Sequence, residues 1–239
     1  MADSSRTPDH RDVTLQSMDD YGSQLTCALQ DLSLEEARWM PTPKSNHVLW
    51  ILWHMGRMED MWGWYLRGEG DSAWIEGGWA DRLGIDPSRS GSGDTIEPVQ
   101  NFPDVTVEEV TAYWQASREL LIPSIEGVTV DRLDETRPEI WPGAPDTAPT
   151  LLWALGRIPV ENGQHTGQIA CIRGLYAAKF RQGFGRRQFF RRTSSTVILN
   201  LIQDLRQPAT NPTPQPTRHW QEKVALPPTC HPEFIFRIY

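Results

Sequence analysis

The stretch from Leu49 to Tyr65 reads LWILWHMGRMEDMWGWY, and it decides the fold. Its apolar residues recur at helical spacing and cover so much of the circumference that other elements have to bury most of the helix. Asn46 is a suitable N-cap and Gly68 follows Arg67, so we predict one helix from Asn46 to Arg67. A helix that is apolar nearly all round requires neighbouring helices or sheets to cover it.

Three other segments of the 239-residue chain show helical patterns, at about residues 12–30, 106–123 and 149–180. No segment shows the sustained alternation of a half-buried strand. The sequence therefore predicts an all-α four-helix bundle with long inter-helix loops and a low-order C-terminal tail. The longest connection, residues 68–105, is too long for a simple connector. Its apolar residues predict an ordered flap, and they are Trp74, Ile75, Trp79 and Leu83.

These patterns divide the chain into a flexible N-terminus at residues 1–11, the bundle at 12–182 and a basic, proline-rich tail at 183–239. The composition of the tail cannot bury enough apolar surface to offset the entropy of ordering it, so we expect disorder there.

Charge and composition exclude several classes of protein. Residues 1–180 carry 14 Lys and Arg against 28 Asp and Glu, and such an acidic body argues against a nucleic-acid partner. No apolar run reaches the ~18 residues of a membrane span, and the N-terminus lacks the apolar core of a signal peptide. We therefore expect a cytoplasmic protein with no membrane partner. The three cysteines are widely separated and indicate no paired-cysteine zinc site.

The strongest candidates for a functional site are His54, Glu161 and His165. Glu161 and His165 are four residues apart in a helical segment, so they project from one face one turn apart. Packing of the second and fourth bundle helices would bring His54 to them. Two imidazoles and a carboxylate are typical of a catalytic divalent metal site with open coordination positions. The alternative is a hydrogen-bonded core His54 and a solvated Glu161.

Three motifs resemble the DinB-like superfamily of four-helix bundles, some of whose members are thiol-dependent transferases and isomerases. They are Trp50–Asp60, Gly77–Gly84 and the run from His165 to Leu175. Many members have His where this chain has Glu161. The mycothiol-dependent maleylpyruvate isomerase branch is similar to this chain in using Glu-x-x-x-His there. The sulfoxide synthase branch is disfavoured, because its motif is His-x-x-x-His-x-Glu.

The resemblance implies a metal site at the mid-helix histidine and the last bundle helix. Together with the residue pattern, it leads to the hypothesis of an S-transferase or isomerase that uses Zn, Ni or Fe and a low-molecular-weight thiol on a small electrophilic substrate. One alternative is a non-catalytic ligand-binding or stress-response protein, and a homodimer is possible under either reading. Another alternative is a metal-assisted hydrolase with water as the nucleophile.

Two residues are candidate helpers at this site. Arg57 would receive an anionic group, although an ion pair with Glu59 or Asp60 is the stronger expectation. Gln168 would orient a bound ligand or simply make a helix contact. His47 precedes the apolar run, and we expect it at the surface.

Overall fold

The computed structural model describes residues 7–180, and this part of the chain is all-α, which confirms the predicted fold class. Four long helices form the bundle, and four short helices lie in the connections. The eight helices are α1 (His10–Leu29), α2 (Leu34–Arg38), α3 (Val48–Arg67), α4 (Ala73–Glu76), α5 (Trp79–Leu83), α6 (Ile96–Gln100), α7 (Val107–Glu126) and α8 (Leu151–Phe180). The predicted tail at 183–239 lies outside the described residues.

Helix α3 is the centre of the bundle, as its apolar sequence predicts. Trp53, Leu49 and Met55 are fully buried. Helix α7 packs closely against it, because an added Cβ at Gly56 would lie 3.4 Å from the Cα of Trp114, and one at Gly63 would lie 3.1 Å from the Cα of Leu121. Both helices advance seven residues between these two contacts, so α3 and α7 are parallel neighbours.

Helices α1 and α8 run in the opposite direction to α3. The Tyr65 hydroxyl near the end of α3 donates to Pro149 O just before α8 begins, at 2.6 Å. Arg173, near the end of α8, donates from Nη1 to Ala28 O near the end of α1, at 2.7 Å. Residues 7–176 form one compact unit.

A parallel pair of helices needs a long crossover connection, and residues 68–106 provide it. This segment is ordered, as predicted, and contains α4, α5 and α6. Asp60 of α3 holds it in place by accepting hydrogen bonds from the backbone N–H groups of Ala73 at 2.6 Å and Trp74 at 2.9 Å. Trp74 and Trp79 of this segment are buried, whereas Ile75 is 62% exposed.

His47 is buried, so the expected surface position is wrong. It is 3% exposed and forms the N-cap of α3, one residue after the predicted cap Asn46. Its Nδ1 accepts from Trp50 N at 3.1 Å and its Nε2 donates to Val99 O at 3.0 Å. Burial lowers the pKa of His47 to about 4, so the ring is neutral at physiological pH. The local sequence does not show that the cap residue also bonds to α6, fifty-two residues later.

Glu59 is a fully buried carboxyl group in the middle of the bundle. Its Oε1 accepts from the Trp114 indole at 2.8 Å and from the Tyr21 hydroxyl at 3.0 Å, and Arg118 lies 3.5 Å away. Burial raises the pKa of Glu59 to about 7, and this effect outweighs the opposing charge of Arg118. The cluster joins α1, α3 and α7.

None of the described helices is both long enough and apolar enough to cross a membrane.

Candidate metal centre

His54 lies in the middle of α3, with 6% of its surface exposed. Its Nδ1 is 2.7 Å from Ser90 O. Because a carbonyl oxygen only accepts, Nδ1 carries the hydrogen, and Nε2 keeps its lone pair in the neutral ring. Trp50 stacks on the ring with a centroid distance of 5.2 Å. Burial lowers the pKa of His54, so the neutral form that binds metals is favoured.

The backbone of the 68–106 crossover contacts this ring directly. Gly91 has φ +88°, and a Cβ added there would lie 2.6 Å from His54 Nδ1 and 3.1 Å from a carbon of the Trp50 ring. Any side chain at Gly91 would therefore be both conformationally strained and in collision with His54. The glycine lets Ser90 approach closely enough to orient the imidazole.

Helix α8 brings Glu161 and His165 to the other nitrogen of His54. Glu161 Oε1 lies 4.0 Å from His54 Nε2. The His54 and His165 rings meet edge to face with centroids 5.0 Å apart. One ligand atom from each of the three residues lies within 4.8 Å of the other two. The structure thus brings together the three residues that the sequence singled out.

Gln168 orients the second histidine. Its side-chain oxygen lies 3.0 Å from His165 Nδ1. An amide oxygen only accepts, so Nδ1 of His165 also carries the hydrogen and Nε2 is the nitrogen left for a ligand. In both histidines, therefore, a hydrogen-bond acceptor fixes the tautomer in the way usual for metal-binding imidazoles.

The donor set fits a divalent transition metal. Two imidazoles with available Nε2 atoms and one carboxylate are typical ligands for Zn, Ni or Fe, and three protein ligands leave positions for exogenous groups. Donor atoms that bind one ion at about 2.0–2.2 Å lie about 3–4 Å from one another. Small side-chain rotations would therefore bring the three donor atoms to the distances that an ion requires. The side chain of Glu161 is 13% exposed, so the solvated-carboxylate alternative does not describe it.

Arg57 does not join this group. Its guanidinium lies 4.4 Å from the ring of Trp74, its Nε donates to Arg89 O at 3.0 Å and its Nη1 lies 3.4 Å from Asp60. The expected ion pair with Asp60 is present, and Glu59 pairs instead with Arg118. These contacts give Arg57 a role in holding the crossover.

Sequence reasoning missed Ser90, Gly91 and Arg157. Ser90 acts through its backbone carbonyl, which any residue would supply, and Gly91 is one of many glycines in a loop. Arg157 lies four residues before Glu161, and its Nε is 3.3 Å from Glu161 Oε2. Its i,i+4 spacing to Glu161 was a usable signal.

Comparisons with known proteins agree with this architecture. A family model described as the DinB superfamily matches residues 22–169. A solved structure, described as a conserved protein of locus from Enterococcus faecalis, is similar with a TM-score of 0.63 and 20% sequence identity. The match covers 72% of this chain and 100% of that chain, and at this identity it concerns the fold alone. None of the curated proteins matches the chain.

Proposed function

Since the chain belongs to the DinB superfamily, we propose that it is a metal-dependent enzyme that uses a low-molecular-weight thiol. Its metal ligands are His54, Glu161 and His165, and its substrate is a small electrophile. The reaction is an S-transfer or a thiol-assisted isomerisation.

One observation carries this proposal. Both histidines commit Nδ1–H to an oxygen acceptor, Ser90 O for His54 and the Gln168 amide for His165. This leaves two Nε2 lone pairs beside the Glu161 carboxylate. A purely structural role for His54 in the core would not explain why a second histidine with the same tautomer and a carboxylate lie at the same place.

The residues of the chain have separate tasks in this reaction. A divalent metal, when bound, lowers the pKa of a thiol so that the thiolate is available at neutral pH. His54 and His165 supply neutral ligands and Glu161 supplies one negative charge. Trp50 covers one face of the His54 ring, and the backbone at Gly91 covers its Nδ1 edge. In an S-transfer by substitution, the thiol proton passes to solvent and the sulfur forms a bond to the electrophilic carbon, while the bond from that carbon to its leaving group breaks and the leaving group departs with the electron pair.

Turnover by reconstituted protein tests the proposal. The protein is loaded separately with Zn, Ni and Fe(II) and assayed against a panel of electrophiles with and without thiols. We expect product only when both metal and thiol are present. His54→Ala should abolish turnover, whereas His10→Ala, which removes a histidine that bonds to Val128 O outside the site, should retain it.

The same assay separates the alternatives. Product formation with metal but without thiol would identify a hydrolase. Tight metal binding with no turnover on any electrophile would support a ligand-binding protein. Unchanged turnover in His54→Ala would contradict the proposed site.

A further inference from the structure

Arg157 lies at the edge of the candidate metal centre with part of its donor capacity unused. Its side chain is 36% exposed, and its Nε is 3.3 Å from Glu161 Oε2. Among residues 7–180, its two terminal nitrogens donate no hydrogen bond, and its ion-pair partner is Glu161. A guanidinium presents five N–H donors in a planar fork, so several donors remain for a ligand.

The carboxylate of Glu161 contacts Arg157 on one side and faces His54 on the other. Its Oε1 faces His54 Nε2 at 4.0 Å, while its Oε2 faces Arg157. The two oxygens belong to one carboxylate, so the guanidinium lies beside a residue of the candidate ligand group. A reactant bound at the centre is therefore adjacent to a residue that is itself paired with a guanidinium.

The other arginines near the site are already committed. Arg57 is paired with Asp60 and lies over Trp74. Arg89 binds Asp94 at 2.6 Å and lies over Trp53. Both side chains are less exposed than that of Arg157, at 15% for Arg57 and 23% for Arg89 against 36%.

The charge balance of the centre favours an anion. Two neutral imidazoles and one carboxylate around a divalent metal leave a net charge of +1, and Arg157 adds another positive charge. A thiolate neutralises one of these charges. A second negative group on the same or the other reactant neutralises the other, and a carboxylate matches the guanidinium fork in two parallel hydrogen bonds.

We propose that Arg157 is a specificity-determining residue that binds a carboxylate of the reactants, so that the thiol or the electrophile is an anionic molecule. This inference rests on the proposed function, because it needs a ligand bound at His54, Glu161 and His165. Arg157 thereby takes the anion-binding role that the sequence suggested for Arg57.

Cobalt(II) is a suitable probe because thiolate coordination gives a charge-transfer absorption that is independent of turnover. Cobalt-loaded wild type, Arg157→Gln and Arg157→Lys are titrated with mercaptoacetate and with 2-mercaptoethanol, which differ mainly in the carboxylate. A second arm titrates acetate and acetamide into the 2-mercaptoethanol complex. This arm detects a carboxylate that belongs to the electrophile. Arg132→Gln, which removes a partly exposed arginine paired with Glu135, is the control.

In wild type and Arg132→Gln we expect the carboxylate-bearing probe of at least one arm to bind about tenfold more tightly than its neutral partner. Arg157→Gln should bring that ratio to about one, while the affinities for cobalt and for 2-mercaptoethanol change by less than about twofold. Arg157→Lys should restore part of the preference, because it keeps the charge and loses the fork.

Four outcomes would overturn the inference. A carboxylate preference that persists in Arg157→Gln, or that is absent from wild type in both arms, shows that Arg157 does not select the ligand. A parallel loss of cobalt affinity in Arg157→Gln makes it a residue that only positions Glu161. Failure of wild type to bind cobalt at all defeats the proposed function together with the inference, and the missing cobalt spectrum identifies that case.

Discussion

Replacing Gly91 with alanine tests whether the loop backbone holds His54 in its metal-binding orientation. The new Cβ would lie 2.6 Å from His54 Nδ1, at a residue with φ +88°. Gly93 is a matched control, because it has φ +79° and nothing lies within 4 Å of its added Cβ. Both variants carry the strain of a left-handed residue, but only Gly91→Ala displaces the imidazole.

The structure gives the expected magnitudes. A left-handed alanine costs about 1–2 kcal/mol, so Gly93→Ala should lower the free energy of unfolding by that amount. Gly91→Ala should lose about 1 kcal/mol more, because it breaks the hydrogen bond between His54 Nδ1 and Ser90 O. Loss of such an orienting bond typically lowers metal affinity about 10–100-fold.

Urea unfolding of the metal-free proteins measures the first effect, and competition with a chelator of known affinity measures the second. We expect Gly93→Ala to bind metal like wild type. Equal metal affinities in the two variants would refute the reasoning, because the contact with His54 would then have no part in forming the site.

Three further changes have defined outcomes. Gln168→Leu removes the acceptor for His165 Nδ1–H, so competition with a chelator should show about tenfold weaker metal binding at unchanged stability. Burial raises the pKa of Glu59 from 4.5 to about 7. The free energy of unfolding should therefore fall by up to about 3 kcal/mol as pH rises through that window, and Glu59→Gln should flatten the fall in urea titrations at pH 5 and 8. Asp60→Ala leaves two buried N–H groups of α4 without their acceptor and Arg57 without its ion-pair partner, so urea unfolding should show a loss of about 3 kcal/mol or more.

Each of these changes has a contradicting result. Unchanged metal affinity in Gln168→Leu would show that His165 needs no orienting partner. A pH profile that is equally steep in Glu59→Gln would place the titrating group elsewhere. Wild-type stability in Asp60→Ala would mean that the crossover is held by its tryptophans alone.

The fold was predictable because its decisive signals are local. The run from Leu49 to Tyr65 is apolar around most of a helix, so it has to be buried, and the other segments with a regular pattern are helical. Glu161 and His165 were predictable for the same reason, because four-residue spacing on a helix places side chains on one face. His54 was linked to them by the expectation that the second and fourth long helices are neighbours.

The missed features depend on contacts between distant segments. Ser90 orients His54 through a backbone carbonyl, and His47 is buried because Val99, fifty-two residues later, covers its Nε2. Arg57 and Arg157 both lie one turn from a site residue. The packing of the crossover places Arg57 in an ion pair with Asp60, whereas Arg157 keeps free donors. The local sequence pattern does not show which of these contacts forms.

The most direct test of the metal centre is the position of the ion itself. Anomalous diffraction at the absorption edge of the metal, from crystals of reconstituted protein, would locate it. We expect one strong peak bound by Nε2 of His54, Nε2 of His165 and the carboxylate of Glu161. A peak at other residues, or occupancy below about one tenth after reconstitution, would contradict the account, since such ligand sets bind these metals tightly.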